Sequence, residues 1–235
     1  MDAIALRPAP GREWQAEFDR LIEDPYLAGK YDRERRLREK LEYVNQLAGE
    51  LRTSGGRVLD LGPGPGEFLE IARFFGCRIL GIDCAPEDSE MGDEYLRLSR
   101  LMTMRQEIPV WYVGFDRMLR QPYLPFRDGS FTFINSQGSI EQIFRSHLAG
   151  PRHRDTKNAL LLSWTLDKRM DAAFRHFFAE MGRILDRRGV LLIYGNGAGN
   201  VDAYDRFLKN LTAEMNLFAL RYDRDACLHK LVKSR

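Results

Sequence analysis

The stretch RVLDLGPGPGEFLE, Arg57 to Glu70, decides the fold. An apolar run of strand length ends next to Asp60, and a helical pattern begins a few residues later. Between them, glycines occupy alternate positions, at Gly62, Gly64 and Gly66. A strand, a glycine-rich turn and a helix in this order form the ligand-binding corner of open α/β sheets. A second apolar run, ILGID, ends in Asp83, where a carboxylate can accept the hydroxyl groups of a ribose. The sequence therefore predicts a nucleotide-like ligand beside two acidic strand ends.

The spacing of these glycines disfavours a dinucleotide. The dinucleotide fingerprint G-x-G-x-x-G uses its third glycine for close helix packing, with the helix N-terminus facing a pyrophosphate. Counted from Gly62, that third position is Glu67, whose carboxylate would repel a diphosphate. An acidic turn suits a cationic ligand without phosphate. The alternative is a tight strand-to-helix turn that binds no ligand.

Composition and charge indicate one large globular domain. The chain has 235 residues, of which 44% are hydrophobic, enough to bury a substantial core. Lys plus Arg number 36 and Asp plus Glu number 34, so no broad basic face for nucleic acid or an anionic membrane is expected. No apolar run approaches the roughly 18 residues of a membrane span, no signal peptide is evident, and the three cysteines lack metal or disulfide spacing. We therefore expect a cytoplasmic protein without a metal.

Alternating strand and helix patterns predict the architecture. Apolar residues at three- and four-residue steps predict amphipathic helices within residues 1–55, which form an N-terminal cap on a domain of residues 56–235. Strands separated by helices imply parallel pairing with right-handed crossovers. Strand patterns at about 215–222 and 226–232 are close enough to form a hairpin. The prediction is a doubly wound, mostly parallel seven-stranded α/β sheet with a C-terminal antiparallel hairpin.

Several ordered motifs between Arg57 and Val232 together resemble the class I S-adenosylmethionine (SAM)-dependent methyltransferases. The glycine turn is similar to the first motif of that family, and an acid follows the second strand in both. LPFRDGSFTFI, Leu124 to Ile134, is similar to the stretch that leads into the fourth strand. RILDRRGVLLI, Arg183 to Ile193, is similar to the turn before the fifth. The resemblance implies a Rossmann-like fold, SAM as the cofactor and methyltransferase activity.

The resemblance also implies roles for individual residues. Asp60 is expected to order the turn and contact the methionyl ammonium, and Asp83 to accept both ribose hydroxyls, unless it is only a turn or cap acid. Asp116 aligns with the residue that contacts the adenine amino group. Asn135 and Ser136 are expected near the sulfonium, with Gln137 just beyond. The predicted cofactor-binding residues are Asp60, Gly62, Gly64, Gly66, Asp83, Asp116, Asn135 and Ser136.

One departure from the family keeps other functions open. Thr132 stands where the family usually has an acid, which the resemblance places near the reaction centre. A non-catalytic SAM-binding or scaffold protein is therefore an alternative to the enzyme. An NAD(P)-dependent oxidoreductase is a second alternative, disfavoured by Glu67 and by the absence of a Tyr-x-x-x-Lys pair near the fourth strand.

Candidates for a general base follow the predicted fourth strand, where an open α/β sheet exposes its crevice. A hydroxyl acceptor benefits from a base, usually His or a carboxylate, whereas nitrogen or thiolate acceptors need less help. The predicted catalytic residues are His147, His153 and Glu141, with Asp155 as a further candidate. His147 precedes and His153 lies within a basic segment, residues 149–158, that either grips an anionic group of the acceptor or faces water.

The acceptor class is indicated only by resemblance. Residues 94–110, together with the glycine turn and the helix behind it, resemble methyltransferases found with bacterial surface-polysaccharide synthesis. The implied acceptor is a small molecule or a saccharide, methylated at oxygen or nitrogen. We expect no nucleic-acid or membrane partner. The N-terminal helices either shape the acceptor site, pack on the sheet or mediate a homodimer.

Overall fold

The computed structural model describes residues 51, 56–84, 99–100, 102–104, 106–113, 124–140, 168–194, 201–223 and 228–234. Its strands are β1 (Arg57–Leu61), β2 (Arg78–Cys84), β3 (Val110–Val113), β4 (Phe131–Gln137), β5 (Leu185–Tyr194), β6 (Phe218–Asp223) and β7 (Leu228–Lys233). Its longer helices are α1 (Glu67–Phe74), α2 (Lys168–Ile184) and α3 (Val201–Met215).

The strands form one seven-stranded sheet in the order β3-β2-β1-β4-β5-β7-β6. Strands β1 to β5 pair in parallel, and β7 pairs antiparallel with both β5 and β6. The predicted α/β class and its C-terminal hairpin are therefore confirmed. The strand order reverses between β1 and β4, and open α/β sheets bind ligands at the carboxyl edge beside such a reversal. The predicted helical cap, residues 1–55, lies outside the described residues except for Leu51, so this domain division stays a prediction.

Side-chain alternation along the strands builds a core on each face of the sheet. Leu59 of β1 belongs to the cluster that contains the phenylalanines of α2, whereas Val58 belongs to the cluster with Phe68 of α1. All of these side chains are fully buried. By the same alternation, Asp60 lies on the face that α1 covers. The strand pattern therefore brings a buried acid to the helix that follows the glycine turn.

Helix α3 extends further than its sequence pattern predicted. The sequence predicted a strand from about residue 215, but α3 continues to Met215 and β6 begins at Phe218. Leu208, Leu211 and Met215 continue one apolar face against the core, so the helical spacing persists through the predicted boundary. The antiparallel hairpin itself is as predicted.

Strand β5 begins earlier than predicted and contains an irregularity. The segment that resembles the family's turn before the fifth strand already belongs to β5, which runs from Leu185, and its register with β4 shifts between Phe131 and Phe133. Arg188 has φ 61°, a left-handed conformation that side chains rarely adopt. The extra residues of β5 are thus accommodated as a bulge at the amino end of the sheet, away from the carboxyl edge.

Cys77 follows α1 and is buried beneath it. Burial raises the pKa of this thiol to about 11, because an apolar environment disfavours the thiolate. The nucleophilic form is therefore scarce at neutral pH, and Cys77 is a packing residue. In the part of the chain that the structure describes, no helix is long and apolar enough to span a membrane.

Candidate functional site

The glycine turn after β1 has a backbone that favours glycine at three positions. Gly62, Gly64 and Gly66 have φ of 68°, 52° and 88°. Residues with a Cβ rarely adopt these left-handed values, so the alternate glycines follow from the shape of the turn. The amide of Gly62 donates to the carbonyl of Ile82 at 2.7 Å, which ties the turn to β2. The turn thus crosses the carboxyl edge of the sheet, where the sequence predicted a ligand.

The segment after β4 packs directly against this turn. A Cβ on Gly62 would lie 2.5 Å from the Cβ of Ser139, closer than real Cβ contacts come. Ser139 is 8% exposed and donates a hydrogen bond from its hydroxyl to the carbonyl of Leu61. The sequence analysis did not select Ser139. Its only signal was a small polar residue three positions after Ser136, in the segment that follows a predicted strand.

Asp60 and Asn135 form a buried pair across β1 and β4. The two residues are register partners, and their exposed fractions are 1% and 0%. The side-chain amide of Asn135 donates to Oδ1 of Asp60 at 2.6 Å. A carboxylate only accepts hydrogen bonds, so an amide donor is a fitting buried partner. The side chain that was expected near the sulfonium thus contacts a predicted cofactor residue.

Ser136 is also engaged within the protein. Its hydroxyl lies 2.8 Å from the hydroxyl of Ser139 and accepts a hydrogen bond from the amide of Ile140 at 3.3 Å. Because Ser139 in turn donates to Leu61, the two serines join the end of β4 to the end of β1. The proximity of Asn135 and Ser136 to the sulfonium stays a prediction. Their observed contacts join β4 to β1 at the carboxyl edge.

Two further carboxylates lie near the turn. Asp83 is the second-last residue of β2, is half-buried and pairs in register with Tyr112 of β3. Glu67 is the first residue of α1 and is 2% exposed, and its Oε1 has no hydrogen-bond partner among the described residues. A dinucleotide would bring its pyrophosphate to this helix end, where a buried carboxylate opposes it. The acidic surroundings suit a cationic ligand.

The position of Thr132 corrects one expectation. Its hydroxyl accepts from the amide of Arg57 and donates to the carbonyl of Arg57, both at 3.2 Å. Arg57 is the first residue of β1, so Thr132 lies at the amino end of the sheet. About five residues, or roughly 16 Å of strand, separate it from the carboxyl end of β4. The expectation that this position bears on the reaction centre was wrong, and the non-catalytic alternative loses its support.

The remaining predicted site residues lie outside the described part of the chain. These are Asp116, Glu141, His147 and His153, together with Asp155. Their roles stay predictions. The described ranges contain no group of three or more His, Cys, Asp or Glu residues that could hold a metal ion.

The described residues fit SAM. The glycine backbone would allow close approach of a ligand, Asp83 would offer an acceptor to hydroxyl groups, and Asp60 and Glu67 would offer negative charge to a cationic ligand. When bound, SAM supplies a methyl group carried on a sulfonium. A mostly parallel sheet in this strand order, with a glycine turn between strands that carry Asp60 and Asp83, is the architecture expected of a Rossmann-like SAM-dependent methyltransferase.

Comparison with solved structures returned several methyltransferase folds. A provisionally assigned sarcosine dimethylglycine methyltransferase from Galdieria sulphuraria has 20% identity and a TM-score of 0.46, with 80% of this chain and 64% of that chain covered. A provisionally assigned SAM-dependent methyltransferase from Methanococcus maripaludis has 12% identity and a TM-score of 0.48, with 100% and 97% covered. A TehB-like SAM-dependent methyltransferase from Corynebacterium glutamicum has 14% identity and a TM-score of 0.44, with 86% and 99% covered. This chain therefore spans somewhat less than two thirds of the Galdieria protein.

The family is shown by comparison of the sequence with family models. No curated protein matches this chain in sequence. A family model described as a methyltransferase domain matches residues 31–149, slightly more than half of the chain. The chain belongs to this methyltransferase family, and SAM is its cofactor.

Proposed function

We propose that the protein transfers a methyl group from SAM to an oxygen or nitrogen atom of a small-molecule or saccharide acceptor. The choice of oxygen or nitrogen as the methylated atom is based on Gln137, the last residue of β4. Its Oε1 is buried and has no hydrogen-bond partner among the described residues. A buried carbonyl oxygen without a donor is costly, so a ligand with an O–H or N–H group would offset that cost.

The location of Gln137 supports this role. Gln137 pairs in register with Tyr194, the last residue of β5, so it lies at the carboxyl edge two residues beyond Asn135. Strand alternation puts Gln137 and Asn135 on the same face. Gly138 follows with φ 66°, and its amide donates to the carbonyl of Tyr194 at 3.1 Å. The Gln137 side chain is thus attached to a strand end that is held by a hydrogen bond, two residues from Asn135, a predicted cofactor residue.

The predicted cofactor residues support the proposal to different degrees. We assign Gly62, Gly64 and Gly66 to the backbone that the methionine and ribose parts approach, Asp60 to the ammonium and Asp83 to the ribose hydroxyls. Asp116 is proposed for the adenine amino group on resemblance alone. A role in surface-polysaccharide synthesis likewise rests on resemblance, and it would make the acceptor a sugar hydroxyl.

The cofactor assignment is tested by calorimetric titration with S-adenosylhomocysteine. We expect saturable binding to the wild type, no binding of NAD, and at least about tenfold weaker binding to Asp83→Ala, because a charged acceptor contributes about 1.5–3 kcal/mol per hydrogen bond. Asp186→Ala is the matched control, since Asp186 pairs with Arg57 at the surface and its side chain is 45% exposed. Equal affinity of both variants would remove Asp83 from the site.

The choice of oxygen or nitrogen is tested by an acceptor screen with SAM carrying a labelled methyl group. Each hydroxyl or amine compound is paired with its fully methylated form, which lacks the donor hydrogen. Label incorporated only into donor-bearing compounds supports the proposal. Label found on carbon or sulfur would contradict it.

The base assignment is tested with the accepted compound. We propose His147, His153 or Glu141 as general base, and we expect the corresponding Ala or Gln variant to lose about 10²–10⁴-fold in kcat for a hydroxyl acceptor. S-adenosylhomocysteine affinity should be unchanged in that variant. His176→Ala, an exposed position on α2, is the matched control and should retain full turnover. Full turnover by all three site variants would eliminate this set of bases.

A further inference from the structure

The pair of Asp60 and Asn135 combines two properties that matter for a cationic ligand. Both side chains are buried, and the amide holds one carboxylate oxygen at 2.6 Å. An amide is neutral, so Asn135 fixes the orientation of Asp60 without adding a compensating charge of its own. A lysine or arginine at position 135 would hold the carboxylate equally well but would cancel its attraction for a cation.

The contacts around the pair favour a precise orientation of Asp60. Asp60 lies directly before the segment in which Leu61 accepts from Ser139 and Gly62 donates to Ile82. Asn135 is followed by Ser136, which lies against Ser139. The backbone next to both partners of the pair is therefore tied to the glycine turn and to the segment after β4.

We propose that Asn135 is a positioning residue for the methionyl end of the bound cofactor. It acts through Asp60: the amide of Asn135 orients that carboxylate toward the ammonium of the ligand and leaves its negative charge in place. The proposal rests on the cofactor assignment above. It reassigns Asn135 from a contact with the sulfonium to a contact with Asp60.

The first test replaces the amide by a group of the same shape that titrates. In Asn135→Asp, one shared proton preserves the hydrogen bond, whereas loss of that proton leaves two carboxylates in contact. The proton is bound at low pH, so the orientation of Asp60 is retained there. As pH rises and the proton is lost, repulsion between the two carboxylates turns Asp60 away from that orientation. We expect near wild-type affinity for S-adenosylhomocysteine at pH 5 and at least about tenfold weaker binding at pH 8. The wild type should change little between these pH values.

Other carboxylates of the site are present in both proteins. Glu67 and Glu70 lie in the first turn of α1, Asp83 lies on β2, and all three are unchanged in the variant. Any pH dependence that they cause appears in the wild type as well. The difference between the two pH profiles therefore belongs to the pair at positions 60 and 135.

A second ligand distinguishes a loss of Asp60 orientation from a general loss of structure at the site. 5′-Methylthioadenosine lacks the amino acid end, so it does not use Asp60. We expect Asn135→Asp to bind it with unchanged affinity at both pH values. Equal loss of both ligands would mean that Asn135 only holds the two strands together, and the proposal would be wrong.

The exchange variant keeps the test valid if Asn135→Asp folds poorly. Asp60→Asn combined with Asn135→Asp retains one amide and one carboxylate but moves the charge to β4. We expect its melting temperature to be close to that of the wild type, with S-adenosylhomocysteine binding still about tenfold or more weaker. Full recovery of binding would contradict the proposal, because the position of the charge would then be irrelevant. Failure of the wild type to bind S-adenosylhomocysteine at all would instead refute the cofactor assignment.

Discussion

Gly62→Ala is expected to reduce both the stability of the protein and its affinity for S-adenosylhomocysteine. The left-handed backbone at φ 68° costs about 1–2 kcal/mol for alanine. The added methyl group would also lie 2.5 Å from the Cβ of Ser139, and relieving such an overlap costs about 1–3 kcal/mol. The two effects together predict a loss of about 2–5 kcal/mol in the free energy of unfolding. Denaturant titration measures it.

The chain offers a closely matched control for this variant. Gly129 has φ 67°, but a Cβ there would lie 3.7 Å from its nearest neighbours, which is ordinary contact. Gly129→Ala should therefore show only the backbone cost and leave ligand affinity unchanged. Equal destabilisation by both variants would show that contact with Ser139 is unimportant. Adding Ser139→Gly to Gly62→Ala should recover part of the loss, and a double-mutant cycle measures that coupling.

The expected loss of affinity follows from where the strain is relieved. The turn has no room to retreat toward β2, because the amide of Gly62 already lies 2.7 Å from the carbonyl oxygen of Ile82 and would be pressed against it. It must therefore move away from Ser139 into the space beside the carboxyl edge, where we place the cofactor. Affinity that stayed at the wild-type level in a destabilised Gly62→Ala would place the ligand elsewhere.

The fold was largely predictable from the sequence because its strongest signals are local. The run from Arg57 to Glu70 contains a strand, a left-handed turn and a helix start, each with its own residue preference. The parallel sheet then follows from the alternation of strands and helices, and the hairpin from a short polar connection. The misplaced start of β6 also has a local cause, since the apolar face of α3 continues to Met215.

The contacts of the site were less predictable because they join distant positions. Asn135 contacts Asp60, and Ser139 contacts Leu61, across 75 and 78 residues. Such partners depend on the register of β4 against β1, and a one-residue slip would turn every side chain to the other face. Thr132 illustrates the same limit. The motif around it predicted its strand, but only its contacts with Arg57 show that it lies at the amino end of the sheet. A sequence pattern predicts which edge binds, whereas the register decides which side chains meet there.

Arg183→Met is expected to cause a large loss of stability at a position away from the site. Arg183 lies in the last turn of α2 and donates to both oxygens of Glu180, to Asp128, and to the carbonyls of Leu124 and Phe126. These contacts hold segment 124–130, which leads into β4, on the helix. They also raise the pKa of the guanidinium, with the hydrogen bond to Glu180 as the main cause, so the group stays charged at any working pH.

The expected size of the effect follows from what Arg183→Met leaves behind. The Glu180 side chain is only 6% exposed, and its carboxylate would keep the amide of Leu124 as a partner but lose its cation. Because the Arg183 side chain is 22% exposed, we expect a cost of about 3 kcal/mol, at the lower end of the range for a buried pair that loses one partner. Arg175→Met is the matched control on the same helix, because Arg175 and Glu214 form a pair with side chains 38% and 57% exposed. Exposed pairs contribute about 0–1 kcal/mol, so the control should unfold at nearly the wild-type denaturant concentration. Similar unfolding midpoints for the two variants would mean that segment 124–130 is held by its apolar contacts alone, with Leu124 and Phe126 packed on the core as the anchors.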